Sequence, residues 1–434
     1  MNPTDYILAN RQRRIEEVAL ELSRHPELDA QHVLRQIEGW QRLHTKVSRW
    51  AEADGMLYPP RLALEQCSGQ PAAEYKARLV SRIMAEADGA PSTAGAPTSA
   101  ATPPHTLANL GMADLTGGMG VDFSFMAPLF SRATYVEQRP ELVEAARHNF
   151  PLLGLGHATI LHGDGVAHLS AMAPVGLIYL DPARRDAHGG KVVQIEDCEP
   201  DIATLLPLLR QKSRYTLVKL SPMLDLHRAM ATLSGISEAH VFASGGECKE
   251  LLLLFGPTPD ATGNPAPGTC PPASAGGPRI VCSDETTTLT FTLDSEANAR
   301  CDYAPAASIA PGACLYEPGP AVMKAGAFRT VAERYGLDKL HPNTHLYLSP
   351  TPVGGFPGRT FAVTRTYGFS KSDLRALAAD LKAEGGKANL TIRNFPSTVA
   401  ELRKKLKLRE GGSTYLFATT DGDGKKIIVS CKKI

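Results

Sequence analysis

Four short apolar runs in this 434-residue chain each end in an acid. "ADLTGGMGVD" places Asp114 ahead of Gly117, Gly118 and Gly120. "ATYVEQ" ends at Glu137 and Gln138, "ATILHGDG" near Asp164, and "LIYLDPARRD" at Asp181-Pro182. Glycines at a strand-to-helix turn let backbone N–H groups approach a ligand without Cβ obstruction. An acid at the tip of the next strand can accept hydrogen bonds from ribose hydroxyls. A carboxylate at the first strand repels a pyrophosphate. It suits a ligand with positive charge there, such as the sulfonium and amino groups of S-adenosylmethionine. The Gly-x-x-x-x-Gly-Lys-Ser/Thr pattern of a phosphate-binding ATPase loop does not occur.

Asp181 and Pro182 are the expected catalytic pair. Proline fixes φ and removes a donor, so the chain must leave its strand there. A carboxylate and exposed carbonyls beside a methyl donor can accept the hydrogens of an exocyclic amine and aim its lone pair, which is catalysis by positioning. Arg184 and Arg185 just behind could hold a substrate phosphate. Lys219 and Ser221-Pro222, in "LVKLSPMLD", end a fifth run at the same edge, and Lys219 reads equally as a substrate or a structural contact. The bland readings are a tight turn for the glycines, a helix-entry turn for Asp181-Pro182 and a solvated edge for the arginines.

These tips require a sheet to carry them. From Leu110 to Phe255 the apolar runs alternate with helix-length segments, the pattern of βα units around a mostly parallel sheet. The last two runs, "AHVFAS" and "ELLLLFG", are joined by "GGECK", so an antiparallel pair at the sheet edge is expected. Residues from about 10 to 85 read as helical, with Ile15, Val18, Ala19 and Leu22 on one face and Val33, Ile37 and Trp40 on another. "TTTLTFTLD" reads as a strand, "AVMKAGAFRTVAERYG" as one helix and "THLYLSP" as a strand. From Phe361 the order is strand, helix, strand, helix, hairpin, with helix-start capping spacings at Ser370/Asp373 and Thr398/Glu401. Two Ala/Pro/Gly-rich stretches read as flexible inserts. The expected organisation is 1–87 helical, 88–106 linker, 107–256 α/β core, 257–278 insert, 279–359 α+β segment and 360–434 terminal α+β module.

Apolar residues make up 43% of the chain and charged residues 21%, with a formal net charge of +1. The whole molecule is no polycation, so nucleic-acid binding requires a local basic face. No run nears the roughly 20 apolar residues needed to span a bilayer. The eight cysteines form no Cys-x-x-Cys pair, so reduced thiols, no metal site and a cytoplasmic setting are expected. Lys387 to Ile434 holds eleven Lys/Arg against four Asp/Glu. Arg403, Lys404, Lys405, Lys407 and Arg409 cluster on or after one short helix, with Arg393 on the adjacent strand. Such a face is often merely solvated.

"DLTGGMGVD", "YVEQ", "YLDPARRD", "EDCEPD", "VKLSPMLD" and "ECKELLLL" resemble a bacterial family of class I S-adenosylmethionine-dependent methyltransferases with a THUMP-like C-terminal domain. "LALEQCSGQPAAEYKA" resembles its helical N-terminal part, "LYEPGPAVMKAGAF" its ferredoxin-like segment, and "GKANLTIRNFPSTVAELRKKLKLREGGSTYLFATT" its THUMP-like end. The resemblance implies an α/β fold with a Rossmann-like seven-stranded methyltransferase core, a helical N-terminal region and C-terminal α+β modules, ferredoxin-like and THUMP-like. It implies S-adenosyl-L-methionine as cofactor, with Asp114, Gly117, Gly118, Gly120, Glu137 and Asp164 at the cofactor positions. Thr116, Asp122, Gln138 and Gly165 in the same motifs join that set. At Asp181 to Arg184, amino-methylating enzymes of nucleic acids carry an acid- or Asn-Pro-Pro-aromatic motif. Here Ala183 and Arg184 replace the second proline and the aromatic, so the stacking platform for a flipped base is missing from the motif.

The expected activity is methylation of an RNA base amine, tRNA or rRNA. Arg184, Arg185, Lys219, Arg393, Arg403, Lys404, Lys405 and Lys407 are the expected substrate contacts, and the THUMP-like end docks the phosphate backbone. The competing readings are a non-catalytic RNA-binding protein with a degenerate core, a methyltransferase with a protein or small-molecule acceptor and, remotely, a nicotinamide dehydrogenase.

Overall fold

A computed structural model describes residues 2–87, 109–184, 195–257 and 277–434. Both Ala/Pro-rich stretches fall almost wholly outside these residues, as does Arg185. The chain divides into two compact units, Met1–Ala239 with Lys249–Ala273, and His240–Cys248 with Ser274–Ile434.

The first unit opens with six helices, α1 (Pro3–Asn10), α2 (Ile15–Leu22), α3 (Ala30–Leu43), α4 (Ser48–Glu52), α5 (Arg61–Gln66) and α6 (Gln70–Ala87). The Asp29 side chain accepts from His32 N at 3.1 Å and starts α3. Val18, Leu22, Val33 and Ile37 close a small core with Tyr6 and Leu28, while Ala19 stays exposed. The helices are not a separate appendage. Leu43, Val47, Trp50 and Tyr58 share one core with Met119, Val121 and Phe125, and the fully buried Trp50 indole donates to Ser124 Oγ at 2.9 Å.

Behind them stands a nine-stranded sheet that contains the expected seven strands. These are β1 (Met112–Asp114), β2 (Ala133–Glu137), β3 (Ala158–His162), β4 (Val175–Leu180), β5 (Ser213–Leu220), β6 (Ile236–Ser244) and β7 (Glu247–Phe255), in the order β3-β2-β1-β4-β5-β7-β6. The first five are parallel, and β7 runs antiparallel to β5. Gly245 and Gly246, both at positive φ, turn the β6–β7 hairpin. The hairpin lays β7 between β5 and β6. The intervening helices are α7 (Val121–Met126), α8 (Pro140–Leu152), α9 (Gly165–Ala171), α10 (Ile202–Lys212) and α11 (Leu226–Thr232). The order reverses between β1 and β4, so a crevice opens at the carboxyl ends of those strands.

The second unit contains β8 (Arg279–Ser283), β9 (Thr288–Phe291) and α12 (Leu293–Asn298). A seven-stranded sheet follows from β10 (Cys314–Pro318), β11 (Asp338–His341), β12 (Thr344–Ser349), β13 (Gly358–Tyr367), β14 (Asn389–Ile392), β15 (Thr414–Thr420) and β16 (Lys426–Lys433), in the order β11-β12-β10-β13-β16-β15-β14. The strand expected over "TTTLTFTLD" stops at Phe291, because Thr292 caps α12 with its side chain. The single helix expected after residue 320 is two, α13 (Pro320–Ala325) and α14 (Phe328–Tyr335). Gly326 at φ 76° ends the first in a left-handed cap. Helices α15 (Lys371–Ala383) and α16 (Val399–Leu406) begin with the expected capping boxes at Ser370 and Thr398. The sheet curls until its ends meet, with Asn394 Nδ2 3.2 Å from His341 Nδ1.

Candidate functional site

The carboxyl ends of β1, β2, β3, β4 and β5 surround one cavity of about 1210 Å³. Asp114, Thr116, Gly117, Gly118, Gly120, Asp122, Glu137, Gln138, Asp164, Gly165, Asp181, Pro182 and Lys219 all line it. Sequence reasoning therefore brought together groups up to about a hundred residues apart. Ala63, Gln66, Cys67 and Ser68, from α5 and the turn before α6, form part of its wall, so the helical region closes over the crevice.

The glycine turn is built by close packing. A Cβ on Gly117 would lie 2.4 Å from the buried Tyr135 ring, and one on Gly165 would lie 2.0 Å from Leu115 O. Glu137 Oε2 accepts from Gly118 N at 2.7 Å and Oε1 from Arg139 N at 2.8 Å, which fixes the loop and leaves each oxygen a further lone pair. Asp164 caps α9, accepting from Ala167 N at 2.7 Å, and its other oxygen accepts from Gln138 Nε2 at 2.7 Å.

Asp114 is almost fully buried, and among the described residues no cation pairs with it. Thr116 N donates to its Oδ1 at 3.0 Å. Burial pushes its pKa up to about 8 against that hydrogen bond, and Asp122 and Asp181 push in the same direction. An acid so placed can pair with a cationic group. Asp181 is held from two sides. Its backbone N donates to Thr116 Oγ1 at 2.6 Å, and its Oδ2 accepts from Lys219 Nζ at 2.6 Å.

Beneath Asp181 lies a network that the motifs did not reveal. Lys219 Nζ is also 3.7 Å from Asp122 Oδ2, Asp122 Oδ1 is 3.2 Å from Lys76 Nζ, and Lys76 Nζ is 2.5 Å from Glu250 Oε1. Ser68 Oγ and Tyr179 OH donate to Asp122 Oδ2 at 2.8 and 2.7 Å. Burial alone would raise the Asp122 pKa, but Lys76 and Lys219 outweigh it and hold the group below its usual range. Burial would lower Lys219, but Asp181 and Asp122 keep its pKa raised. Burial lifts Glu250 above the usual carboxylate range, against the pull of Lys76. The overlooked signal was a lysine in the apolar stripe of α6, beside Ala72, Ala73, Leu79 and Val80, and an acid opening the buried end of β7.

The basic residues named from the tail lie in the second unit. Arg393 and Arg359 both pair with the buried Glu317, at 3.0 and 2.9 Å. Arg403 pairs with Glu410 at 2.9 Å. Lys405 Nζ lies 4.8 Å from the Phe369 ring centre, Lys407 ends α16 in a left-handed cap, and Lys404 is exposed. The Arg184 side chain lies, like Arg185, outside what the structure describes. Among the described residues no group of three His, Cys, Asp or Glu could hold a metal ion, and no helix is long and apolar enough to cross a membrane. Their seven cysteines carry free thiols.

Residues 315–357 match a ferredoxin-like domain family and residues 358–433 a THUMP domain-like family. The chain is 32% identical to a crystal structure from Porphyromonas gingivalis W83 assigned as a methyltransferase, over 99% of this chain and 97% of that one, with a TM-score of 0.80. It is 26% identical over 315 residues to an uncharacterized S-adenosylmethionine-dependent methyltransferase of Mycobacterium tuberculosis, covering 72% of this chain and 77% of that protein.

Proposed function

Because this chain belongs to the S-adenosylmethionine-dependent methyltransferases that carry a THUMP-like C-terminal domain, we propose that it methylates an exocyclic base amine of an RNA, tRNA or rRNA, docked through that domain. The carrying observation is Asp181, fixed by Thr116 and Lys219 at the mouth of the acid-lined cavity.

The cavity residues fit the cofactor. Asp114 offers a buried carboxylate that no cation pairs with among the described residues, and Glu137, with Arg139 Nε 3.6 Å from its Oε1, offers its carboxylate at the tip of β2. In this reading Asp114 would hold the cationic amino acid end, Glu137 the ribose hydroxyls, and Asp164 with Gln138 the adenine side. S-adenosylmethionine supplies, when bound, a methyl group on a positively charged sulfur. Asp181 accepts a hydrogen of the acceptor amine through Oδ1 and so aims the nitrogen lone pair across the cavity. Pro182 turns the chain away and keeps that oxygen clear. Gln66 and Cys67 wall off water from above.

Exposed Lys404, Lys405 and Lys407 on and after α16 support RNA docking, because lysines at this density suit a phosphate backbone without base readout. The test is methyl transfer from labelled S-adenosylmethionine into total RNA from a strain lacking the gene, followed by nucleoside mass spectrometry. An N-methylated base, lost with Asp181→Ala, is expected. A labelled protein fraction with unlabelled RNA would refute the RNA assignment.

A further inference from the structure

We propose that Lys219 is a positioning and specificity-determining residue, which restricts the acceptor to an uncharged conjugated amine. The inference rests on the reading of Asp181 as the group that receives the acceptor.

Five charged side chains alternate in sign from the cavity inward, namely Asp181, Lys219, Asp122, Lys76 and Glu250. The Asp122 carboxylate is already served by Lys76 at 3.2 Å and by the Ser68 and Tyr179 hydroxyls. Lys219, 13% exposed, therefore gives its short contact to Asp181 Oδ2. Two consequences follow. Lys219 is spent on carboxylates inside the crevice and is not a contact for a substrate phosphate. The mouth of β4 presents an electrically neutral pair, whose Asp181 half is 39% exposed, instead of a lone anion.

An alkylammonium, such as a protein lysine, gains little from a neutral pair and must first give up a proton before its nitrogen can react. The exocyclic amine of a nucleobase arrives uncharged and needs only an oriented acceptor. Its nitrogen lone pair forms the new N–C bond, and the C–S bonding pair returns to sulfur. The proton then shed from nitrogen passes to Asp181 Oδ1 and on to water. Lys219 acts at each point through Asp181.

The test compares wild type with Lys219→Met, Lys219→Gln and Lys219→Arg in the full-length chain. Cofactor affinity is read by calorimetry. Transfer is read separately on total RNA from the deletion strain and on poly-L-lysine. Wild type should label RNA and leave poly-L-lysine unlabelled. Lys219→Met should lower kcat on RNA about 100-fold, the size of loss expected for a misplaced reacting group, with cofactor affinity nearly unchanged, and Lys219→Arg should recover most of it. Wild-type turnover by Lys219→Met, or a parallel fall in cofactor affinity, overturns the inference while leaving the RNA reading intact. Lys219→Gln decides by the same readouts if Lys219→Met does not fold. Wild type that leaves RNA unlabelled overturns both.

Discussion

Lys76 Nζ lies 2.5 and 2.6 Å from the two carboxylate oxygens of Glu250, and both side chains are shut away from water. The pair joins α6 to β7, the strand beside β5. Removing one partner of a buried pair leaves the other charge uncompensated, at about 3–5 kcal/mol. Lys76→Met should lose that much stability in a denaturant titration. Lys76→Met/Glu250→Leu should recover part of it, because one of the two carboxylates that Lys76 serves is gone.

The Asp114 carboxyl, raised to about 8, ties cofactor binding to pH. A cation beside it favours the ionised form, so binding below pH 8 should release a proton. Affinity should climb from pH 6 to 8 and flatten above. Calorimetry in buffers of different ionisation heat measures the released proton directly. For the free protein the sign is opposite. A folded-state pKa above the unfolded value of about 3.9 gives stability that is full below about pH 4 and lost as pH rises through 8. Asp114→Asn should therefore melt higher than wild type at pH 9. It should also bind cofactor about 10- to 100-fold more weakly, the weight of one charge-assisted hydrogen bond.

Gly117→Ala tests the glycine turn. Its methyl group would have to displace the buried Tyr135 ring, whose hydroxyl bonds Gly118 O at 2.5 Å. We expect stability to fall by about 1–3 kcal/mol, the usual cost of overpacking, together with weaker cofactor binding. A variant with wild-type affinity would show that the loop tolerates the shift.

Charge reversal of Lys404 and Lys405 should weaken RNA binding at every sequence tested. The slope of log K against log salt should fall by about 1.4–1.8, two phosphate contacts' worth. Filter binding with unfractionated tRNA at several salt concentrations measures it. An unchanged slope would return α16 to a solvated face.

The strand tips were legible because each element announces its end locally. Glycines follow Asp114 within three residues, and proline follows Asp181 at once. The helix starts at Ser370 and Thr398 were legible for the same reason, since a cap and its partner lie three residues apart. The break at Gly326 was missed because apolar spacing continues on both sides of it. The network under Asp181 was illegible for a different reason. Ser68 meets Asp122 across 54 residues and Tyr179 meets it across 57, distances that no local spacing encodes. Arg393 read as an exposed cation, but the curl of its sheet brings it to Glu317, 76 residues earlier.

The Lys76–Glu250 pair spans 174 positions. During synthesis the lysine therefore leaves the ribosome long before Glu250 exists, and Asp122 is the first of its two partners to follow. Until β7 arrives, Lys76 and Lys219 share Asp122 without the second buried carboxylate. The charge balance beneath Asp181 is complete only when the last strand of the first unit has been made.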